Sequence, residues 1–501
     1  MRPPPAKPVA SYSLATWLFL RLLGLAYLAA FWSLAVQTPG LIGHDGILPA
    51  REWVAAVRAW ADAQGIGLDR FHLFPTLCWF GSSDRFLEGL SIGGGALAAL
   101  LVVGVAPTVL LPLLWLGYLS LVVVCGEFLS YQWDTLLLET GLLAIFVAPL
   151  TGWDDPRRAV DPPRIARWLL WWLLFRLMFG SGIVKLASGD PSWRGLTALA
   201  YHYETQPLPT PLAWYAHHFP LWLQKGSTAV ALGVELVVPW FAFGPRRLRR
   251  LAGAVLVGLQ LLIWLTGNYA FFNLLTIALC VLLLDDAALE WIAPVGRSPA
   301  PREPAQRHAR WPAWVPAAAA LVTVPVSVVT LAAQLGVSLP GSTILESLAR
   351  VVEPLRSVNA YGLFAVMTTI RPEVVVEGSN DGVLWLEYEF KYQPGDLRQP
   401  PRWIAPLQPR LDWQMWFAAL GQYDREPWFQ SFCRRLLEGS PPVLGLLASD
   451  PFQGTPPRFV RGVLYLYHFA DAATGRAQEV WWTRERLGLY SPALSLGNTN
   501  R

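Results

Sequence analysis

Nine apolar runs alternate with polar stretches along the first two thirds of the chain. They cover roughly residues 14–36, 89–106, 108–126, 132–150, 166–184, 227–243, 249–266, 270–284 and 313–335. A helix needs about 20 apolar residues to cross a bilayer, and several runs sit near the lower limit. The first follows a short basic, Pro-rich start (MRPPPAKPVASYS). It is longer than a signal-peptide core and lacks a clear small-residue cleavage site, so it is expected to be a permanent span. Pro107 separates the second and third runs. No lipid-facing loop is possible at membrane depth, so this pair is a tight hairpin or one long kinked element.

Beyond residue 336 the period changes. EVVVE at 373–377 and LWLEYEFKY at 384–392 alternate as strands, and Asn380, Asp381 and Gly382 between them carry turn chemistry. Residues 410–421 and 428–437 read as helices with one apolar face, the first preceded by Pro409 and stopped by Gly421. Residues 462–469 and 478–483 read as a second strand pair. The expected fold is a polytopic α-helical membrane bundle of about nine spans, residues 1–335. A C-terminal β-rich α+β domain follows at 336–501, with a β-sandwich as one option.

Composition agrees with a membrane protein. Hydrophobic residues make up 54% of the 501 and charged ones only 15%, where about 25% is usual in soluble domains. Four cysteines exclude a disulfide scaffold, and no CxxC zinc pair occurs. Cys78 and Cys433 would pair only if folding brought them together; otherwise they are buried thiols. The net charge of +4 is small, and its distribution says more. Basic clusters sit at Arg2/Lys7, at Arg157/Arg158/Arg164/Arg167, at Arg246/Arg247/Arg249/Arg250 and at Arg297/Arg302/Arg307/Arg310. With nine spans all four fall on one face, the cytoplasmic one by the positive-inside rule. Segments 37–88, 185–226 and 336–501 then share the opposite side.

Acids and bases within the apolar runs are costly and face a cavity or a partner. Asp134 is read at the interface, and Glu139, Arg176 and Glu235 lie deeper. The plain reading of those three is structural pairing inside the bundle, such as Glu139 with Arg176. No HExxH, Walker A or GxGxxG motif occurs. The densest chemistry lies between Phe179 and Pro220, where Pro207, Pro209 and Pro211 forbid one long helix. His202, Glu204, His217 and His218 lack metal-ligand spacing, so neither a metal nor a cofactor is expected. Lys185 directly follows an apolar run. It is a snorkelling anchor or, if desolvation lowers its pKa, a base. His202 and Glu204 are the accompanying candidates for chemistry.

The phrases GSGIVKLASGDPSWRGLTALAYHYETQPLPTPLAWYAHH (180–218), YGLFAVMTTIRPEVVVEGSNDGVLWLEYEFKYQPGD (361–396), PRLDWQMWFAALG (409–421) and LYLYHF…WWTRE (464–485) closely resemble the lipase maturation factor family, in the family's order. The resemblance implies a multi-pass, chaperone-like protein of the endoplasmic reticulum membrane that helps secreted homodimeric lipases reach active form. The partners it implies are a secreted client and the lipid bilayer, with no nucleic acid. The chain has no N-x-S/T acceptor and no C-terminal KDEL, and its Ala, Arg and Pro richness looks bacterial. In a bacterium the location would be the plasma membrane.

Gly182, Lys185, Trp193 and Gly195 also form a short pattern similar to the membrane domain of vitamin K-dependent carboxylase. Two readings follow. In the preferred one, an assembly factor binds its client through Trp193, Arg194, Tyr201, Tyr203, Trp214, His217 and His218, and is not an enzyme. In the alternative, a membrane enzyme uses Lys185 as base on a lipid-soluble or protein substrate.

Overall fold

The computed structural model describes residues 10–156, 160–292, 310–337, 339 and 343–497. The basic positions Arg2, Lys7, Arg157, Arg158, Arg297, Arg302 and Arg307 lie outside the described residues.

In chain order the helices that organise the bundle are α1 (Ser13–Ala35), α2 (Asp84–Val103), α3 (Pro107–Leu129), α4 (Gln132–Ala144) and α5 (Arg164–Ala187). Then come α6 (Ala198–Thr205), α7 (Pro211–His217), α8 (Leu221–Phe243), α9 (Arg246–Thr266), α10 (Phe272–Val281) and α11 (Trp314–Gln334). Among the described residues seven of these, α1, α2, α3, α5, α8, α9 and α11, are long and apolar enough to cross a membrane. The two remaining runs of the expected nine form shorter helices, 13 residues in α4 and 10 in α10. The reason is what surrounds them. Ten residues of α4 and eight of α10 are buried by neighbouring protein, so neither must clothe a full bilayer thickness in apolar side chains. Between α2 and α3 the chain makes a tight hairpin. Gly104, at φ +102°, sits in the left-handed region where a side chain is strained, and Pro107 opens α3 without losing a needed donor.

One end of the bundle holds Arg21, Arg167, Arg246, Arg249 and Arg250. Asp285 takes both Arg246 and Arg250, and Arg249 donates to the Tyr12 hydroxyl. The Arg167 guanidinium lies 3.8 Å from the centre of the Tyr12 ring, and Arg21 pairs with Asp154. Asp286 caps the start of α1, accepting from the Leu14 N–H at 2.8 Å. The opposite ends of the helices meet the C-terminal region: Gln37 Nε2 reaches the Gln408 carbonyl at 2.8 Å, Trp133 the Gln408 side chain at 2.9 Å, and Asn268 the Arg402 carbonyl at 2.8 Å.

The C-terminal region is built on a four-stranded antiparallel sheet, ordered β2 (Leu386–Glu387), β1 (Arg371–Ser379), β5 (Phe459–Phe469), β6 (Trp482–Leu489). A separate two-stranded ladder joins β3 (Glu389–Phe390) to β4 (Leu447–Ser449). The expected strand at 384–392 is thus divided: it leaves β1 after two residues and joins the second ladder. The strand expected at 478–483 begins at Trp482, because residues 472–478 are helical, their first turn capped by the Asp471 carboxylate. Helices α12 (Arg410–Leu420) and α13 (Pro427–Leu437) follow the reading closely. α12 packs on β1 and carries Trp413 against Trp133 of α4, ring centres 4.8 Å apart. One apolar core therefore continues from the bundle into the sheet region. All four cysteines are free and buried.

Candidate functional site

The segment between α5 and α8 folds as short helices broken by its prolines and is clamped to the C-terminal region. Trp193 Nε1 donates to the Phe364 carbonyl at 2.9 Å, Thr205 Oγ1 to the Thr368 carbonyl at 2.8 Å, and Trp214 Nε1 to the Ala470 carbonyl at 3.0 Å. From the other side Arg371, fully buried, donates to the carbonyls of Glu204 at 2.6 Å and Pro207 at 2.8 Å, and to that of Gln206. Asp190 accepts the Met367 N–H at 2.9 Å. Burial opposes the charge on Asp190, yet the Ser192 side chain and the backbone N–H groups hold its carboxyl below the usual range.

Lys185 is buried at the end of α5. Its ammonium donates to both oxygens of Glu235, at 2.5 and 2.6 Å, and lies 4.9 Å from the centre of the Trp193 ring. Gly182 permits this approach, since a Cβ there would stand 2.9 Å from Glu235 Cβ. The side chain neither snorkels to water nor stands unpaired as a neutral base would. Glu139 and Arg176 meet in the same bundle: Arg176 donates to Glu139, Tyr361 adds a hydrogen bond at 2.7 Å, and the Asn359 N–H another at 3.0 Å.

His202 and Glu204 part company. Glu204 turns to β5, accepting the Phe469 N–H at 2.8 Å, with His468 Nδ1 at 3.1 Å and His217 Nε2 at 3.6 Å. His202 turns the other way, its Nε2 at 2.8 Å from the Tyr269 hydroxyl, which in turn donates to Gln206 Oε1 at 2.8 Å. Burial, reinforced by the nearby Lys185 charge, pushes its imidazole from 6.5 down to about 3. Burial also lowers His217, against the raising effect of Glu204. Between these two values of His202 the unfolded chain binds more protons than the folded one. Its contribution to stability is therefore complete above the ordinary histidine pKa and is lost as pH falls below it. Replacing His202 by Gln is expected to flatten the fall of Tm between about pH 7 and about pH 5; an unchanged slope would contradict this.

Of the residues read as client contacts, Arg194, Tyr201 and His218 are exposed, and Tyr203, Trp214 and His217 are half-buried. Trp193 is not on the surface, because its indole is spent on Phe364 and the Lys185 cation. Asp134 does not sit in interfacial water either. It is fully buried and paired at 3.2 Å with Arg410, itself wholly buried. Arg410 also donates to the Phe128 carbonyl at 2.6 Å and the Tyr118 hydroxyl at 3.2 Å. Arg371 and Arg410 carry little signal in the sequence. The one available signal was an arginine flanked by apolar or proline residues, which is common. Among the described residues no three His, Cys, Asp or Glu side chains converge as a metal site requires.

Two family descriptions match the chain. "Lipase maturation factor transmembrane domain" covers residues 14–291 and "Lipase maturation factor C-terminal domain" residues 357–492. Lipase maturation factor 2 of Gallus gallus is 38% identical over 96% of this chain and 81% of its own length. Lipase maturation factor 2 of Homo sapiens is 37% identical over 98% and 84%. Lipase maturation factor 1 of Bos taurus is 38% identical over 95% and 88%. No solved structure matches. None of these similarities supports the membrane-enzyme alternative. The chain belongs to the lipase maturation factor family.

Proposed function

We propose that this protein is a multi-pass membrane maturation factor that helps secreted lipases reach their active form. The carrying observation is the near full-length relation to proteins named for lipase maturation. The domain division at residue 335 belongs to the same reading. So do nine traverses of the membrane, which are supported by the hydrogen bonds at the two ends of the bundle. Residues 131–134 bond to the C-terminal region, whereas the Ala106 N–H donates to the Gly152 carbonyl and the Asp154 N–H to the Gly104 carbonyl, beside Arg21. Likewise Asn268 bonds to Arg402, and Asp285 to the arginines that open α9. Short α4 and α10 thus each run from one end to the other. The basic end faces the cytoplasm and the C-terminal region the lumen of the endoplasmic reticulum, or the outside of the plasma membrane in a bacterial cell.

A lipase client then meets the lumenal end, where Arg194, Tyr201 and His218 are exposed. The test is a photoreactive residue at Tyr201 or at Trp291, which is 83% exposed near the basic end, in cells expressing a secreted lipase. The lipase is expected to crosslink from position 201 and not from 291. Crosslinking from 291 alone would reverse the orientation, and crosslinking from neither would remove the contact surface.

A further inference from the structure

A cavity of about 620 Å³ lies between α5, α8 and α9, roofed by α6, α7 and residues 363–364. Its size is that of a small-molecule site, and such sites combine apolar walls with a few placed polar groups. Met178, Leu223, Val230, Ile263, Phe272 and Phe364 supply apolar wall. The gap between α8 and α9 opens sideways: Val230 is 65% and Leu262 63% exposed at its rim, on helices apolar enough to cross a membrane. An occupant can enter from the hydrocarbon without passing through water.

The polar groups in the wall set the head of that occupant. Lys185 and Glu235 neutralise each other there. A carboxylate ligand would set a second anion beside Glu235, and a quaternary ammonium a second cation beside Lys185, both costly at low dielectric. The head is therefore uncharged. Glu235 uses two of the three ammonium donors of Lys185, leaving one for an oxygen acceptor. His202 supplies the complement. The Tyr269 hydroxyl donates to Gln206 Oε1, so it accepts from His202 Nε2, which assigns the ring proton to that nitrogen. Nδ1 is left as an acceptor without a hydrogen-bond partner among the described residues; the His202 side chain lines the cavity, and a small turn of the ring is needed to present this covered nitrogen to an occupant. Gln260, also in the wall, is already engaged by Asn273 and Met178.

We propose that this cavity binds an uncharged, hydroxyl-bearing lipid of the monoacylglycerol kind. Its chain lies along the apolar wall and its head oxygens meet Lys185 and His202. The site is independent of the maturation role.

The test uses the full chain in phosphatidylcholine nanodiscs and a monoacylglycerol with a diazirine in its chain. Gly226, in the wall, has open space where a Cβ would project, as does Gly233 on the same helix outside the wall. Labelling is expected within residues 223–231 and 259–266 and to be displaced by unlabelled monoacylglycerol. Gly226→Trp is expected to reduce it about tenfold, and Gly233→Trp to leave it unchanged. Val230→Trp, at an exposed rim position, should reproduce the loss even if Gly226→Trp fails to fold. Labelling of folded Gly226→Trp or Val230→Trp at the wild-type level would overturn the proposal. So would equal labelling by the matching fatty-acid or phosphatidylcholine probe.

Discussion

Arg410→Met is expected to destabilise the protein by about 3–5 kcal/mol, the cost typical of removing one partner from a buried ion pair. Arg410 belongs to α12 in the C-terminal region, and Asp134 to α4 in the bundle. Without the guanidinium, Asp134 retains the Tyr118 hydroxyl but no cation, and the Phe128 carbonyl loses its donor. The damage is thus placed at the junction between the two regions. Thermal unfolding in detergent should show the lower stability, and limited proteolysis should release a C-terminal fragment faster than from the wild type. Asp134→Leu combined with Arg410→Met should recover most of the loss, since two apolar side chains leave no charge to compensate. Equal Tm values for the wild type and Arg410→Met would mean that this pair does not hold the junction.

Lys185→Met is the second large effect. It strands Glu235 opposite Gly182, again at about 3–5 kcal/mol. Lys185→Met with Glu235→Leu should restore stability. This pair of variants separates two roles for Lys185. If the ammonium only neutralises a buried acid, the double variant matures its client as the wild type does. If the amine does chemistry, the double variant folds and is inactive. The bond to both Glu235 oxygens favours the first outcome.

What the sequence disclosed follows from where the information lies. The limits of α12 and α13 were legible because a local period, Pro409 and Gly421 define them. The long helices were legible because each holds a long apolar stretch with few charges. The lengths of α4 and α10 were not, because hydropathy cannot distinguish helix from apolar loop when both are buried: Val147 and Ala148 beyond α4, and Leu282 and Leu283 beyond α10, are as buried as the helices themselves. Position in the candidate site divided in the same way. The prolines at 207, 209 and 211 foretold a broken segment. That His202 and Glu204 face opposite directions did not follow from their spacing, since each is aimed by a distant partner, Tyr269 or Phe469. Likewise Asp134 and Arg410 are 276 positions apart, and nothing local announces their pairing.

A maturation factor raises the yield of active lipase. The direct measurement is the specific activity of a secreted homodimeric lipase, activity per mass of lipase released, in cells lacking their own maturation factors, with and without this chain. A clear rise is expected with the wild-type chain, a comparable rise with the Lys185→Met, Glu235→Leu double variant, and a reduced one with Arg410→Met. Specific activity that is the same with and without the chain, while the chain is present and folded in the membrane, would contradict the maturation role.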